Sequence, residues 1–175
     1  IQGQWTTGDF RGWDAGVVAG LRGQLVQVAV PAATAVDVAG LRERPLRAVK
    51  LNDSQRGWLV GDGGLVLRTD DAGLTWQAPS GTLPDVVTRL FDLRALAVLG
   101  QHCWAAGAPG SCVLHSGDEG QTWELFPTGQ TLPVRALTFM DAERGWAVGA
   151  LGTILATRDG GKSWTQVIDR IPGLP

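Results

Sequence analysis

The chain has no tyrosine, one methionine, two histidines and two cysteines among its 175 residues. Without Tyr no phenol is available as nucleophile or proton donor. His102 and His115 stand in no spacing that suggests metal ligation and read as solvated or hydrogen-bonded side chains. Cys103 and Cys112 bracket one hairpin loop, so a disulfide is conceivable in an oxidising compartment; strand alternation argues against it, placing the two on opposite sides of a sheet. Apolar runs are short and broken by Gly, Pro or Arg, and none approaches the roughly 20 residues that span a bilayer. There is no excess of either charge: the net value of −2 gives no global reason to expect nucleic acid as a partner. The first residue is Ile1, without an initiator Met or a charged segment ahead of an apolar one, so the chain reads as a fragment or a processed form.

What is present is skewed. Thirteen Arg stand against two Lys, which favours the planar donor that grips carboxylates and phosphates with two parallel bonds. Eight Trp dominate the aromatics, and they recur in register. Three segments fit Ser/Thr-x-Asp-x-Gly-x-Ser/Thr-Trp: Thr69 to Trp76, Ser116 to Trp123, and Thr157 to Trp164. Their aspartates, Asp71, Asp118 and Asp159, step by 47 and then 41 residues. A second element, Trp-x-x-Gly, precedes each at Trp58, Trp104 and Trp146, and Arg47, Arg94 and Arg135 each fall 24 residues before the box aspartate. Three elements at fixed offsets in three copies define a repeat.

Each unit carries four short β-type runs, in the first full copy Leu46–Leu51, Gly57–Gly61, Leu65–Thr69 and Thr75–Gln77. No helix-period segment competes. Asp62-Gly63 signals a tight hairpin of type I′. Units of this size with four antiparallel strands predict an all-β fold, a β-propeller of four-stranded antiparallel blades. The expected division is 1–40 for a degenerate blade and the tail of a preceding one, 41–81, 82–128 and 129–169 for three Asp-box blades, and 170–175 for a linker or the start of a further unit. The degenerate copy matches at Gly20 to Val26 but has no box between Pro31 and Ala35, and Gln4-Trp5 reads as the end of yet another unit. About four blades form an arc whose open edge strands invite pairing. A closed four-bladed ring is the weaker alternative, because the first unit lacks both box and Trp.

The box is expected to be a turn device. Asp71, Asp118 and Asp159 accept N–H bonds inside their own hairpins; Gly73, Gly120 and Gly161 take a φ other residues avoid; Trp76, Trp123 and Trp164 pack between blades. Each box offers too few oxygens for calcium and lacks a calcium-loop spacing, so neither metal nor cofactor is expected. Asp53 and Asp141 recur after the first strand and read as turn residues too.

At Arg56 to Gly64 with Thr69 to Trp76, and at Arg144 to Gly149 with Thr157 to Trp164, the chain resembles the BNR/Asp-box propellers. It is most similar to the photosystem II stability/assembly factors over roughly residues 40–168. That resemblance implies a seven-bladed ring of which this chain is an arc. It also implies an extracytoplasmic setting (periplasm, thylakoid lumen or secreted) and a non-catalytic role in assembling or stabilising a membrane protein complex, or in binding an acidic protein segment. The alternative is part of a sialidase-like or other glycoside hydrolase propeller. The sialidase resemblance implies a Tyr nucleophile that this chain lacks. Arg47, Arg94 and Arg135, opening the innermost strand of each blade, are the expected partner-binding residues, with pairing to an acidic residue of a neighbouring blade, or the capping of a strand edge, as the structural alternative.

Overall fold

In the computed structural model, residues 3–167 are described; the segment 170–175 lies outside them. Four sheets follow one another. The first is β1 (Trp5–Phe10), β2 (Ala15–Gly20), β3 (Leu25–Ala29) and β4 (Ala32–Ala35), antiparallel in that order. The second is β5 (Leu46–Leu51), β6 (Gly57–Gly61) and β7 (Leu65–Thr69), with the place of a fourth strand taken by the single bridge Arg68↔Gln77. A six-residue helix α1 (Asp85–Leu90) leads to the third sheet, β8 (Asp92–Leu99), β9 (His102–Ala108), β10 (Cys112–Ser116) and β11 (Glu124–Pro127). The last is β12 (Val134–Phe139), β13 (Gly145–Gly149), β14 (Ile154–Thr157) and β15 (Thr165–Gln166). The first strands β1, β5, β8 and β12 pack against one another in sequence, which makes them the inner rim of a propeller arc. No helix among the described residues is long and apolar enough to cross a membrane.

Three expectations need correction. Trp5 pairs with Gly20 and opens β1, so it begins the first blade and does not end a preceding one. Helix α1 was not legible from periodicity because it is under two turns long; it occupies the stretch between Asp71 and Arg94, where the chain is six residues longer than between Asp118 and Arg135, and it drops Val87 into the core. The hairpin after β6 has three residues, with left-handed φ of 68° and 67° at Gly63 and Gly64 and not at Asp62. The Asp62 carboxylate is engaged by Arg47, and Gly64 must be bare because a Cβ there would lie 2.4 Å from the Val87 carbonyl.

The core lies between blades. One cluster joins Val17, Ala19 and Leu25 of the first blade to Leu46, Leu59 and Trp76 of the second; the next joins Trp58, Val60 and Val66 to Leu93, Leu114 and Trp123. A third joins Trp104, Ala106 and Val113 to Val134, Ala147 and Leu155. Alternation along each strand therefore sends one set of side chains forward to the following blade and the other back to the preceding one, as a strand buried on both faces requires.

The order is strict. Val17, Trp58 and Trp104 hold one position in successive second strands, and each meets the next blade's Asp box. A Cβ on Gly73 would lie 2.4 Å from Val17, and one on Gly120 would lie 2.5 Å from the Trp58 ring. Trp58 also meets Trp123 edge to face at 5.5 Å, while Trp104 donates from Nε1 to the Gly160 carbonyl at 2.7 Å and stacks on Phe139 at 3.7 Å. These contacts supply the dispersion and transfer energy that orders the arc.

Trp104 is wholly buried, so Trp104→Ala should cost about 3–5 kcal/mol, from the lost ring and the cavity it leaves. Urea unfolding followed by circular dichroism reads this as a lowered midpoint with the slope unchanged. A loss under 1 kcal/mol would show that the blades do not depend on this contact.

Candidate binding face and the Asp-box turns

All three boxes fold identically. In the first, the Thr69 hydroxyl donates to Asp71 Oδ1 at 2.9 Å and accepts the Gly73 N–H at 2.9 Å. Asp71 Oδ1 also accepts the Thr75 N–H at 2.8 Å, and Oδ2 the Thr75 hydroxyl at 2.6 Å. Asp118 and Asp159 repeat this with Ser116 and Thr122, and with Thr157 and Ser163. Gly73, Gly120 and Gly161 take φ of 88°, 85° and 91°, each preceded by a second left-handed residue, Ala72, Glu119 or Gly160. The indoles of Trp76, Trp123 and Trp164 donate to the carbonyls of these glycines at 3.0, 3.2 and 2.9 Å. Partial burial opposes ionisation of the three carboxyls, yet the hydroxyl and N–H donors outweigh it and hold them below the ordinary range. Both oxygens of each carboxylate are engaged within the turn, and no group of three or more His, Cys, Asp or Glu among the described residues is placed to hold a metal ion.

Asp53 and Asp141 form a second repeated turn. Asp53 accepts the N–H groups of Gln55 and Arg56 at 2.9 and 2.8 Å and the Arg56 guanidinium at 2.7 Å; Asp141 does the same with Glu143 and Arg144. Asp53 is held down to about 2, first by the Arg56 N–H and then by that of Gln55. Arg56 also reaches Glu119 of the next blade, and Arg68, whose guanidinium stands 5.9 Å over the Trp58 ring, joins it at 3.2 Å. Sequence reading missed this clasp because its acid, Glu119, occupies the variable place in the box and appears in one copy only.

The inner rim carries the arginines. Each first strand shifts register at one residue, between Leu46 and Ala48, Leu93 and Ala95, and Val134 and Ala136. Arg47, Arg94 and Arg135 are therefore the extra residues of three equivalent β-bulges, which re-aim a side chain out of the alternation. Thr6 holds the same place in β1 and donates to the Leu46 carbonyl at 2.6 Å. The three arginines differ in their pairing. Arg47 is locked to Asp62 of its own blade by two bonds of 2.8 and 2.6 Å; Arg94 is exposed, with Asp92 at 3.7 Å; Arg135 is exposed and has no ion pair among the described residues. Arg47 is thus paired by an acid of its own blade and not, as the structural alternative had it, of a neighbouring one.

The remaining residues that drew notice are structural. Cys103 is buried and Cys112 half-buried, both free, with burial raising both thiols. Val113 pairs with Ala106 and Ser116 with Cys103, so the two sulfurs belong to different rungs. His102 Nδ1 lies 3.1 Å from His115 Nε2, and both rings stack near Trp104. Burial, His102 and Lys162 together push His115 down to about 4, against a smaller opposite effect of Asp118.

A repeated, self-contained Asp-box turn on four-stranded sheets whose first strands form an arc defines an Asp-box β-propeller protein. Residues 35–138 match the family described as photosynthesis system II assembly factor YCF48. The chain belongs to that family. It is 36% identical over 130 residues, 71% of this chain and 37% of the other, to photosystem II assembly lipoprotein Ycf48 of Synechococcus sp. (strain CC9902). Against the solved structure of YCF48 bound to D1 peptide the TM-score is 0.63 at 27% identity, covering 74% of this chain and 42% of that one. An ancestral GH74 enzyme superposes with a TM-score of 0.73 at 12% identity over 98% of this chain and 25% of its own, a likeness of fold alone. The chain spans about a third of the length of the curated relatives it matches.

His115 has a lower pKa folded than unfolded, so the unfolded chain binds more protons between pH 6.5 and about 4, and stability must fall as pH drops through that window. Discounted for its partial exposure, the loss should be about 1–2 kcal/mol. Urea titrations at several pH values should show it, with His115→Gln flattening the slope. The box carboxyls act in a separate window: their contribution is present above the unfolded value of 3.8 and is lost only as pH falls through their lower folded values.

Proposed function

We propose that this chain is the binding arc of a non-catalytic assembly factor, and that its inner rim holds a peptide segment of a membrane protein complex through Arg135 and Arg94, with Arg47 in support. The single observation that carries the reading is the set of three equivalent bulges presenting guanidinium groups from the inner strands. A guanidinium with no fixed acid can accept a carboxylate through two parallel N–H bonds without first breaking an ion pair. On that count Arg135 is the best anchor, Arg94 second, and Arg47 the least available. The D1 peptide bound by a solved relative supports a peptide as ligand. The lipoprotein name of another relative supports an extracytoplasmic setting for the whole protein.

Catalysis is disfavoured by what the acids do. Asp53 and Asp141, the acids that recur after the first strands, are engaged by their own turns and held as anions, whereas a glycosidase acid needs a raised pKa. Their place on two different blades, in turns that fold alike, fits a structural role.

Fluorescence anisotropy with a labelled D1 peptide tests the reading. Arg135→Ala should weaken binding roughly tenfold or more, Arg94→Ala less, and Arg47→Ala least, with affinity falling as salt rises. Equal affinity for wild type and the triple alanine variant would overturn the rim as the binding site.

A further inference from the structure

Three of the four blades close on the outside with a fourth strand, and the second does not. In those three, one residue of the third strand has an outer backbone partner. The Leu25 carbonyl accepts the Val36 N–H at 2.9 Å, Val113 pairs with Phe126, and the Ile154 carbonyl accepts the Val167 N–H at 2.9 Å. Val66 holds the same place in β7. Arg68 exchanges both backbone bonds with Gln77, so strand alternation aims the N–H and C=O of Val66 outward as well. Neither group has a hydrogen-bond partner among the described residues.

The cause is local. The residue that would face Val66 is Pro79, two after Gln77, and proline has no N–H to give. The chain then turns to the next blade, where the Gly81 N–H bonds the Gly120 carbonyl at 2.8 Å and a Cβ on Gly81 would lie 2.2 Å from the Gln121 oxygen. Between β7 and this diverging segment runs a groove of about 520 Å³, lined by Leu65, Val66 and Leu67 on one side and Pro79 and Leu83 on the other. The outer strands β4, β11 and β15 are edges too, but short ones with largely exposed side chains; β7 is an edge whose Leu65, Val66 and Leu67 are buried. At one end of the groove Arg44 donates to the carbonyls of Asp62 and Gly63 at 3.1 and 2.9 Å and meets no acid among the described residues. Asp85 on the far wall has Arg89 at 3.7 Å.

We infer that the outer edge of β7 takes a strand from a partner protein: an extended segment antiparallel to β7, whose backbone bonds Val66 and whose carboxylate, on the C-terminal side of that contact, meets Arg44. The direction follows from Gln77, since a strand in its register runs from Arg68 toward Gly64 and brings its later residues to Arg44. Strand addition draws affinity from main-chain bonds and selectivity from side chains. The Gly64 N–H is already bound to the Phe91 carbonyl, so the ladder stops after Val66 and selection falls to the charge at Arg44. This edge lies on the outside of the blade, on the third strand, whereas the rim arginines lie on the first. It therefore stands apart from the rim reading.

NMR of the isotope-labelled 175-residue chain, titrated with the acetylated and amidated pentapeptide Thr-Thr-Val-Thr-Glu, tests this. The Val66 amide should shift, and its exchange with solvent should slow roughly fivefold or more at saturation. Methylating the nitrogen of the peptide's valine removes the N–H that faces the Val66 carbonyl and should weaken binding roughly tenfold or more. Arg44→Gln should weaken the pentapeptide roughly fivefold, yet leave an analogue ending in Gln within about twofold, with the circular dichroism spectrum unchanged. The double variant Arg94→Ala, Arg135→Ala should keep the Val66 response, which separates this edge from the rim. No shift at Val66 with millimolar peptide, equal binding of the methylated peptide, or a response confined to the rim arginines overturns the inference. A Val66 amide already protected from exchange in the free chain shows that residues 78–82 or a second copy cover the edge, and overturns it as well.

Discussion

The structure depends on one contact made three times: a side chain from the second strand of a blade pressed onto a glycine in the next blade's Asp box. The glycine is bare for two reasons at once. Its φ lies in the left-handed region, and at Gly73 and Gly120 the neighbouring Val17 or Trp58 occupies the space a Cβ would need, while Trp104 stands at ordinary contact distance from Gly161. The aspartate serves that contact indirectly, because its hydroxyl and N–H bonds hold the turn whose apex receives the aromatic ring. A box is therefore half of an interface, which explains why box and Trp-x-x-Gly keep register between blades as well as within them.

The contact gives the stack a direction, and direction gives it two unequal ends. Each blade offers a forward face and receives on its rear face, so an arc always leaves one of each unsatisfied. The same stacking sets the inner strands side by side and carries their bulges around the rim. Arg47, Arg94 and Arg135 point alike because bulges at one register position re-aim them alike. Their different pairing then comes from the loops: Asp62 follows β6 within reach of Arg47, and the equivalent turn after β13, Ala150–Gly152, has no acid.

Much of this was legible because a repeat supplies its own alignment. β5, β6 and β7 fell at the residues read from the sequence, and the boxes behaved as turns. The first blade was harder to see. It has no box and carries Val17 in place of the Trp of Trp-x-x-Gly, and Thr6 stands where the others have Arg, so β1 has no signature although its register is the same. Helix α1 and the Arg56–Glu119–Arg68 clasp were invisible for the opposite reason, being unique to one interface; periodic reading finds what recurs and passes over what does not.

The distribution of spent and unspent polar groups is what favours the proposed scaffold reading over a catalytic one. Asp53, Asp71, Asp118, Asp141 and Asp159 are all held below the ordinary carboxyl range, each by donors of its own turn. Such a group cannot lend a proton near neutrality, and moving one to bind substrate would dismantle the turn that carries the next blade. On the inner rim Arg94 and Arg135 are the guanidinium groups left exposed on rigid strands. They suit the negatively charged ligand that the proposed reading gives them.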